Sequence, residues 1–154
     1  MRIDLVAVGR LKERWWREAA DEYLKRLAPY ATVRVTEVDD RDVTRDEERA
    51  LAAEADDVLR ALPDGAHTVA LDAAGRQMTS EELAAWIGAH GLEGRSRLAF
   101  VVGGAAGLHP RVLDAAEERL SLGSMTLPHQ LARVVLLEQI YRAFRILRGE
   151  PYHR

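Results

Sequence analysis

The sequence predicts an α/β fold, with a mostly parallel sheet flanked by helices, built as a single domain over residues 1–154. Three observations predict it. Segments with strand and helix patterning alternate as βαβαβαβαβα, the order that builds a sheet with helices on its faces. Residues 97–102 form a nearly continuous apolar run, as expected for a strand covered on both sides in the middle of a parallel sheet. No linker, repeat or low-complexity stretch interrupts the alternation.

Each element has its own signal. Ile3 to Val8 is a short apolar strand. Leu11, Trp15, Trp16, Ala19, Ala20, Tyr23, Leu24 and Leu27 then recur at helical spacing, and Pro29 closes that helix. Thr32 to Val38 alternates, with Val33 and Val35 on one face. Thr44-Arg45-Asp46-Glu47 has the form of a capping box, followed by an amphipathic helix through Leu51, Ala55, Val58, Leu59 and Leu62. Pro63-Asp64-Gly65 is a turn, and His67 to Leu71 is the third strand. Thr79-Ser80-Glu81-Glu82 starts a helix that points Leu83, Trp86 and Ile87 inward and stops at Gly91. After the strand at Arg97–Val102, Pro110 opens a helix expected to run to about Leu120. A short strand near Ser121–Leu122 leads into the last helix.

Composition bounds the function. A charged fraction of 31% and an apolar fraction of 47% are those of a soluble globular protein. No run approaches membrane-spanning length. Met1-Arg2-Ile3-Asp4-Leu5-Val6 contains an acid and does not read as a signal peptide, so a cytoplasmic location is the expectation. There is no cysteine, which excludes disulfides and thiolate metal sites. His67, His90, His109, His129 and His153 are scattered, without an HxxxH pair or acids at ligand spacing, so no metal site is expected. Net charge is −3, against a protein that grips nucleic acid over its whole surface. Its distribution is uneven: residues 1–120 carry 17 Lys/Arg against 23 Asp/Glu, and residues 121–154 carry 5 Arg against 2 Glu. A basic end on an acidic body is a localised anion-binding candidate, or a solvated helix face.

Ligands of parallel α/β sheets bind beyond the carboxyl ends of the strands. Three stretches rich in small residues occupy that position: Leu71-Asp72-Ala73-Ala74-Gly75, Gly103-Gly104-Ala105-Ala106-Gly107, and Leu122-Gly123-Ser124-Met125-Thr126-Leu127. The spacing is not GxGxxG and the lysine of a phosphate-binding loop is missing. A pocket of backbone amides and carbonyls suits a neutral or cationic ligand better than a triphosphate.

The last helix is apolar nearly all the way round, with Arg142, Arg145 and Arg148 at three-residue spacing and Pro-Tyr-His-Arg after it. A helix without a solvent face is buried on more than one side. One side can pack on the chain's own sheet, and a second subunit is the expected cover for the rest.

The elements Gly103-Gly104 through Gly107-Leu108-His109-Pro110, Ser121 to Leu127-Pro128-His129, Glu138-Gln139-Ile140-Tyr141-Arg142-Ala143 and Pro151-Tyr152-His153-Arg154 resemble those of the 23S ribosomal RNA pseudouridine-N3 methyltransferases, of the SPOUT class. The resemblance spans the chain and is most specific in its last third. It implies a C-terminal trefoil knot, a rare exception among folds. It also implies a homodimer with S-adenosylmethionine (SAM) as methyl donor, bound in the knot. Carried over, the cofactor-binding positions are Leu71, Gly103, Leu122, Gly123, Ser124, Met125, Thr126 and Leu127, within the three stretches above. Ala105-Ala106 departs from the Pro-Glu often found there in the family. The implied substrate is the helix 69 loop of 23S rRNA in the assembled 70S ribosome.

SAM carries an activated methyl, so the protein's task is mainly alignment. N3 of pseudouridine must lose its proton, which calls for a base or a cation that stabilises the imide anion. The candidates are His129, Glu138, Arg142 and His153, and Arg142, Tyr152, His153 and Arg154 are the expected RNA-binding group. The plainer readings are a pair between Arg142 and Glu138 four residues earlier and a frayed tail. The alternative functions are a SPOUT enzyme acting on another RNA such as transfer RNA, a non-catalytic RNA- or nucleotide-binding module, and a dimeric assembly factor.

Overall fold

The computed structural model describes residues 1–93 and 97–152. Ten elements follow one another: β1 (Arg2–Val8), α1 (Arg14–Leu27), β2 (Thr32–Val38), α2 (Glu47–Ala61), β3 (His67–Gln77), α3 (Ser80–Leu92), β4 (Arg97–Val102), α4 (Pro110–Ala115), β5 (Glu118–Ser121) and α5 (His129–Leu147). The five strands form one sheet in the order β2-β1-β4-β3-β5, and every pairing is parallel. All carboxyl ends therefore lie on one rim.

Side-chain alternation assigns the two faces. Ile3, Leu5 and Ala7 of β1 point into a core shared with Ala20, Leu27, Ile87, Leu136 and Ile140, so α1, α3 and α5 cover that face. Val6 and Val8 point the other way and meet Ala55, Val58 and Val112 of α2 and α4. Because β1 has helices on both sides, Ile3 through Val8 are all buried, and the central strand β4 is buried from Leu98 to Val102 for the same reason.

Five local expectations are revised. The helix opened by Pro110 ends at Ala115, not near Leu120, because the Glu117 amide turns to the Thr68 carbonyl at 3.0 Å and begins the edge pairing. The last strand accordingly covers Glu118–Ser121. At the start of α2 the cap is Asp46, whose carboxylate accepts from the Arg49 amide, while Thr44 bonds back to Asp42. The first helix starts at Arg14, leaving Leu11 buried in the preceding loop. The third α-helix runs through Gly91 to Leu92. Its start is as expected: Thr79 accepts from the Glu82 amide and Glu82 reaches back to the Thr79 amide.

The third strand is also longer than expected. It continues to Gln77, but its register against β5 jumps: Leu71 and Arg76 both oppose Leu120. Residues 72–75 are thus extruded from the ladder as a wide bulge. Gly75 closes it, and a Cβ there would stand 2.7 Å from the Arg119 carbonyl carbon.

The last helix lies in the trough between α1 and α3, on the sheet. From His129 to Ile146 no residue is fully exposed, which agrees with a helix lacking a solvent face. No helix among the described residues is long and apolar enough to cross a membrane. Leu136 of α5 has no exposed surface. Leu136→Ala is expected to cost about 2–5 kcal/mol, read by denaturant unfolding.

Candidate functional site

Three stretches of chain meet at the carboxyl rim. The bulge of β3 brings Leu71, Asp72 and Ala73. The turn after β4 brings Gly103, Gly104 and Gly107, and the segment after β5 brings Leu122, Gly123, Met125, Thr126 and Leu127. With the first turn of α5 they enclose a cavity of about 190 Å³. Seven of the eight predicted cofactor positions line it, and Ser124, which is exposed, is the one that does not.

Glycine shapes two of these walls. The Gly107 amide donates to the Gly104 carbonyl at 3.1 Å, closing a tight turn with Ala105 and Ala106 at its tip. Gly107 holds φ at +79°, where a Cβ is disfavoured. A Cβ on Gly103 would lie 2.7 Å from the Gly107 carbonyl group, so the turn folds directly over that residue. After β5, the Ser121 hydroxyl accepts from the Gly123 amide at 3.2 Å, with Gly123 at φ +134°.

The lining is apolar side chain and main chain. Its titratable members, among the described residues, are Asp72 and His129; no lysine or arginine contributes. Such a wall gives no counter-charge to a polyphosphate, and its one carboxylate, Asp72, has the Arg119 guanidinium 4.0 Å away.

His129 is the candidate base that stands in this wall. Pro128 is the N-cap of α5 and no side chain caps the helix, so His129 does not act as a cap. Burial lowers its pKa below the ordinary 6.5, and the Arg133 guanidinium one turn on adds to the effect. Arg133 is a buried cation that sequence reading overlooked. Its guanidinium donates to Glu37 at 2.5 Å and to the Gly9 carbonyl at 2.8 Å, tying α5 to the ends of β1 and β2. An arginine within an apolar helix face was the available signal.

The other candidates gather elsewhere. Arg142 Nε donates to Glu138 at 3.0 Å, the Tyr152 hydroxyl donates to the same carboxylate at 3.2 Å, and the Arg142 guanidinium lies 4.7 Å from the centre of the Tyr152 ring. The pairing of Arg142 with Glu138 is therefore present. Burial, then the Glu138 charge, pushes the Tyr152 phenol up to about 12. At a rise of 1.5 Å per residue, Arg142 stands about 20 Å along α5 from His129.

The tail is fastened as far as it is described. Arg145 donates to the Tyr30 hydroxyl and the Pro151 carbonyl, both at 2.9 Å, and pairs with Glu150. Tyr30 donates to Glu150 at 2.7 Å, and the Arg148 guanidinium covers the Tyr30 ring. The predicted site residues His153 and Arg154 lie outside the described residues.

The sequence model described as a predicted SPOUT methyltransferase matches residues 1–153. Among curated proteins, the chain is 52% identical to the ribosomal RNA large subunit methyltransferase H of Bifidobacterium animalis subsp. lactis and 46% identical to that of Carboxydothermus hydrogenoformans, over the full length of both partners. Among solved structures it resembles a probable methyltransferase from Bordetella pertussis (TM-score 0.59, 16% identity, 93% of this chain and 96% of that one). A probable methylase family protein from Haemophilus influenzae gives a TM-score of 0.58 at 16% identity, covering 99% of this chain and 70% of the other. These two likenesses concern the fold.

Two measurements check the site. The His129 imidazole is expected to titrate below 6.5 by NMR. Because its folded pKa is depressed, the stability it contributes is complete above the unfolded value and is lost as pH falls through the folded one. Gly103→Ala is expected to cost about 1–3 kcal/mol in chemical unfolding, since the turn over it must shift.

Proposed function

This chain belongs to the SPOUT methyltransferase family, and from that premise we propose that it is a SAM-dependent methyltransferase of large-subunit ribosomal RNA. Its target is N3 of a pseudouridine in the helix 69 loop of 23S rRNA, in the assembled 70S ribosome in the cytoplasm. The observation that carries the reading is the rim cavity: its walls are those the family resemblance assigns to the cofactor, and its chemistry suits a sulfonium ion. Asp72 offers the only carboxylate among the described lining residues, and Leu71, Leu122 and Leu127 offer apolar cover. When bound, SAM supplies a methyl already activated on sulfur.

The chain's own groups have the remaining tasks. His129, neutral near pH 7 because burial disfavours its charge, is the wall residue able to take the N3 proton. The backbone of Gly103 and of Leu122–Leu127 orients the ligand within the cavity. Arg142, Tyr152, His153 and Arg154 bind the RNA and set the base in place. Ala105-Ala106 leaves no carboxylate at the turn tip, so no step uses one there.

The site is completed in a homodimer. Within one chain, the length of α5 keeps Arg142 about 20 Å from His129, so the tail of a second copy is the group that covers the cavity. The trefoil knot implied by the family belongs to the same proposal. A net charge of −3 leaves only a local basic end for RNA, which favours a structured particle that adds contacts of its own.

The test has three readouts. Calorimetry is expected to show SAM binding to a dimer. Mass spectrometry of rRNA from a deletion strain is expected to show loss of one methyl from a helix 69 pseudouridine. Purified protein is expected to methylate 70S ribosomes at least about tenfold faster than the isolated hairpin, a difference of about 1.4 kcal/mol in the barrier. A monomer that ignores SAM overturns the enzyme reading. A methyl lost from transfer RNA instead overturns the target, and equal rates on hairpin and ribosome overturn the particle requirement.

A further inference from the structure

A second constellation lies on the opposite rim of the sheet. Strands β3 and β5 are parallel neighbours, so their first residues, His67 and Glu118, share the amino-terminal edge. The last turns of α3 bring His90 to the same point. His67 Nε2 is 2.5 Å from Glu118 Oε2, and His90 Nε2 is 3.9 Å from that same oxygen. The two imidazole rings are 4.4 Å apart at their centroids, and the three ligand atoms lie within 4.8 Å of one another. The residues are up to 51 positions apart in the chain, so spacing along the sequence could not disclose them.

We propose that His67, His90 and Glu118 form a binding site for a divalent transition metal, with zinc the best-fitting ion. A hydrogen-bonded pair would account for His67 and Glu118 alone. It does not include His90, whose Nε2 stands 3.9 Å from the same oxygen, outside hydrogen-bond range. Two atoms each about 2.0–2.1 Å from a tetrahedral ion lie about 3.3 Å apart, and the observed separations bracket that value. Two imidazoles with one carboxylate are ligands that suit zinc, and they leave a fourth position for water.

The surroundings add a second, independent observation. The indole Nε1 of Trp86 donates to both Glu118 oxygens, at 3.2 and 3.1 Å. A ligating carboxylate is commonly held by such a hydrogen-bond donor in its outer shell. The Trp86 ring also packs at 4.3 Å from His90, shielding the cluster. His90 is 7% exposed, so its position is set by the fold rather than by solvent. An ion here would clip β3, β5 and α3 together on the rim facing away from the cavity, so its effect is on stability rather than on methyl transfer.

The test uses untagged full-length protein stripped with chelator and titrated with Zn²⁺ and, separately, Co²⁺. One ion per chain is expected, with a raised Tm and the visible absorption of Co²⁺ in a four-coordinate nitrogen and oxygen site. His90→Gln and Glu118→Gln are each expected to weaken Zn²⁺ binding by more than about tenfold, or about 1.4 kcal/mol. Circular dichroism in chelator confirms that both variants fold, and the Co²⁺ spectrum of the unaltered protein reads the ligand set without any substitution. Absence of stoichiometric binding, or binding that persists in both variants, overturns the proposal. Both readouts are independent of SAM and RNA.

Discussion

The burial of the last helix is the constraint from which the rest of the arrangement follows. A 19-residue helix on which only the last residue, Leu147, is exposed does not suit the margin of a sheet. It takes the trough between α1 and α3, where side chains from three directions cover it. Two placements then become inevitable. Its first turn forms part of the carboxyl-rim cavity, and its last turns, with the tail they hold, reach the opposite end of the molecule. A helix is a rigid spacer, so the distance between His129 and the tail is set by its length.

Much of this was legible in the sequence and some was not. Strands at 32–38 and 97–102 could be bounded to the residue, because β-branched and apolar runs end sharply at turn residues. The helix after Pro110 was overrun because Ala115 to Leu120 keeps helical propensity. Its shortness comes from the edge pairing of Glu118–Ser121 with β3, which is a tertiary effect. The bulge at 72–75 looked like an ordinary loop, since nothing local announces that Arg76 will return to the ladder. The three walls of the cavity could be found by strand order alone. Their closure against His129 and Asp72 could not, because it depends on where α5 begins in space.

Charge follows a similar division. The excess of arginine near the C-terminus is plain in the sequence, but its use is not. Arg133 spends its charge inside, against Glu37 and a carbonyl. Only the arginine is buried, and the Glu37 side chain keeps 35% of its surface in solvent, so the pair's clearer effect is positional: it ties the start of α5 to the ends of β1 and β2. Arg142 holds Glu138 and Tyr152, while Arg145 and Arg148 hold Tyr30 and the chain end. What reads as a cationic stripe is, in the folded chain, largely a set of clasps between helix and tail.

The turn in which Gly107 folds back over Gly103 has a wider consequence. Its contour is drawn by main-chain atoms, and main-chain atoms are common to every amino acid. Substitution at Ala105 or Ala106, at the tip, can therefore leave that contour in place, provided the residues lacking a β-carbon are kept. The converse holds for a feature composed of imidazole and carboxylate groups, which one codon change can erase.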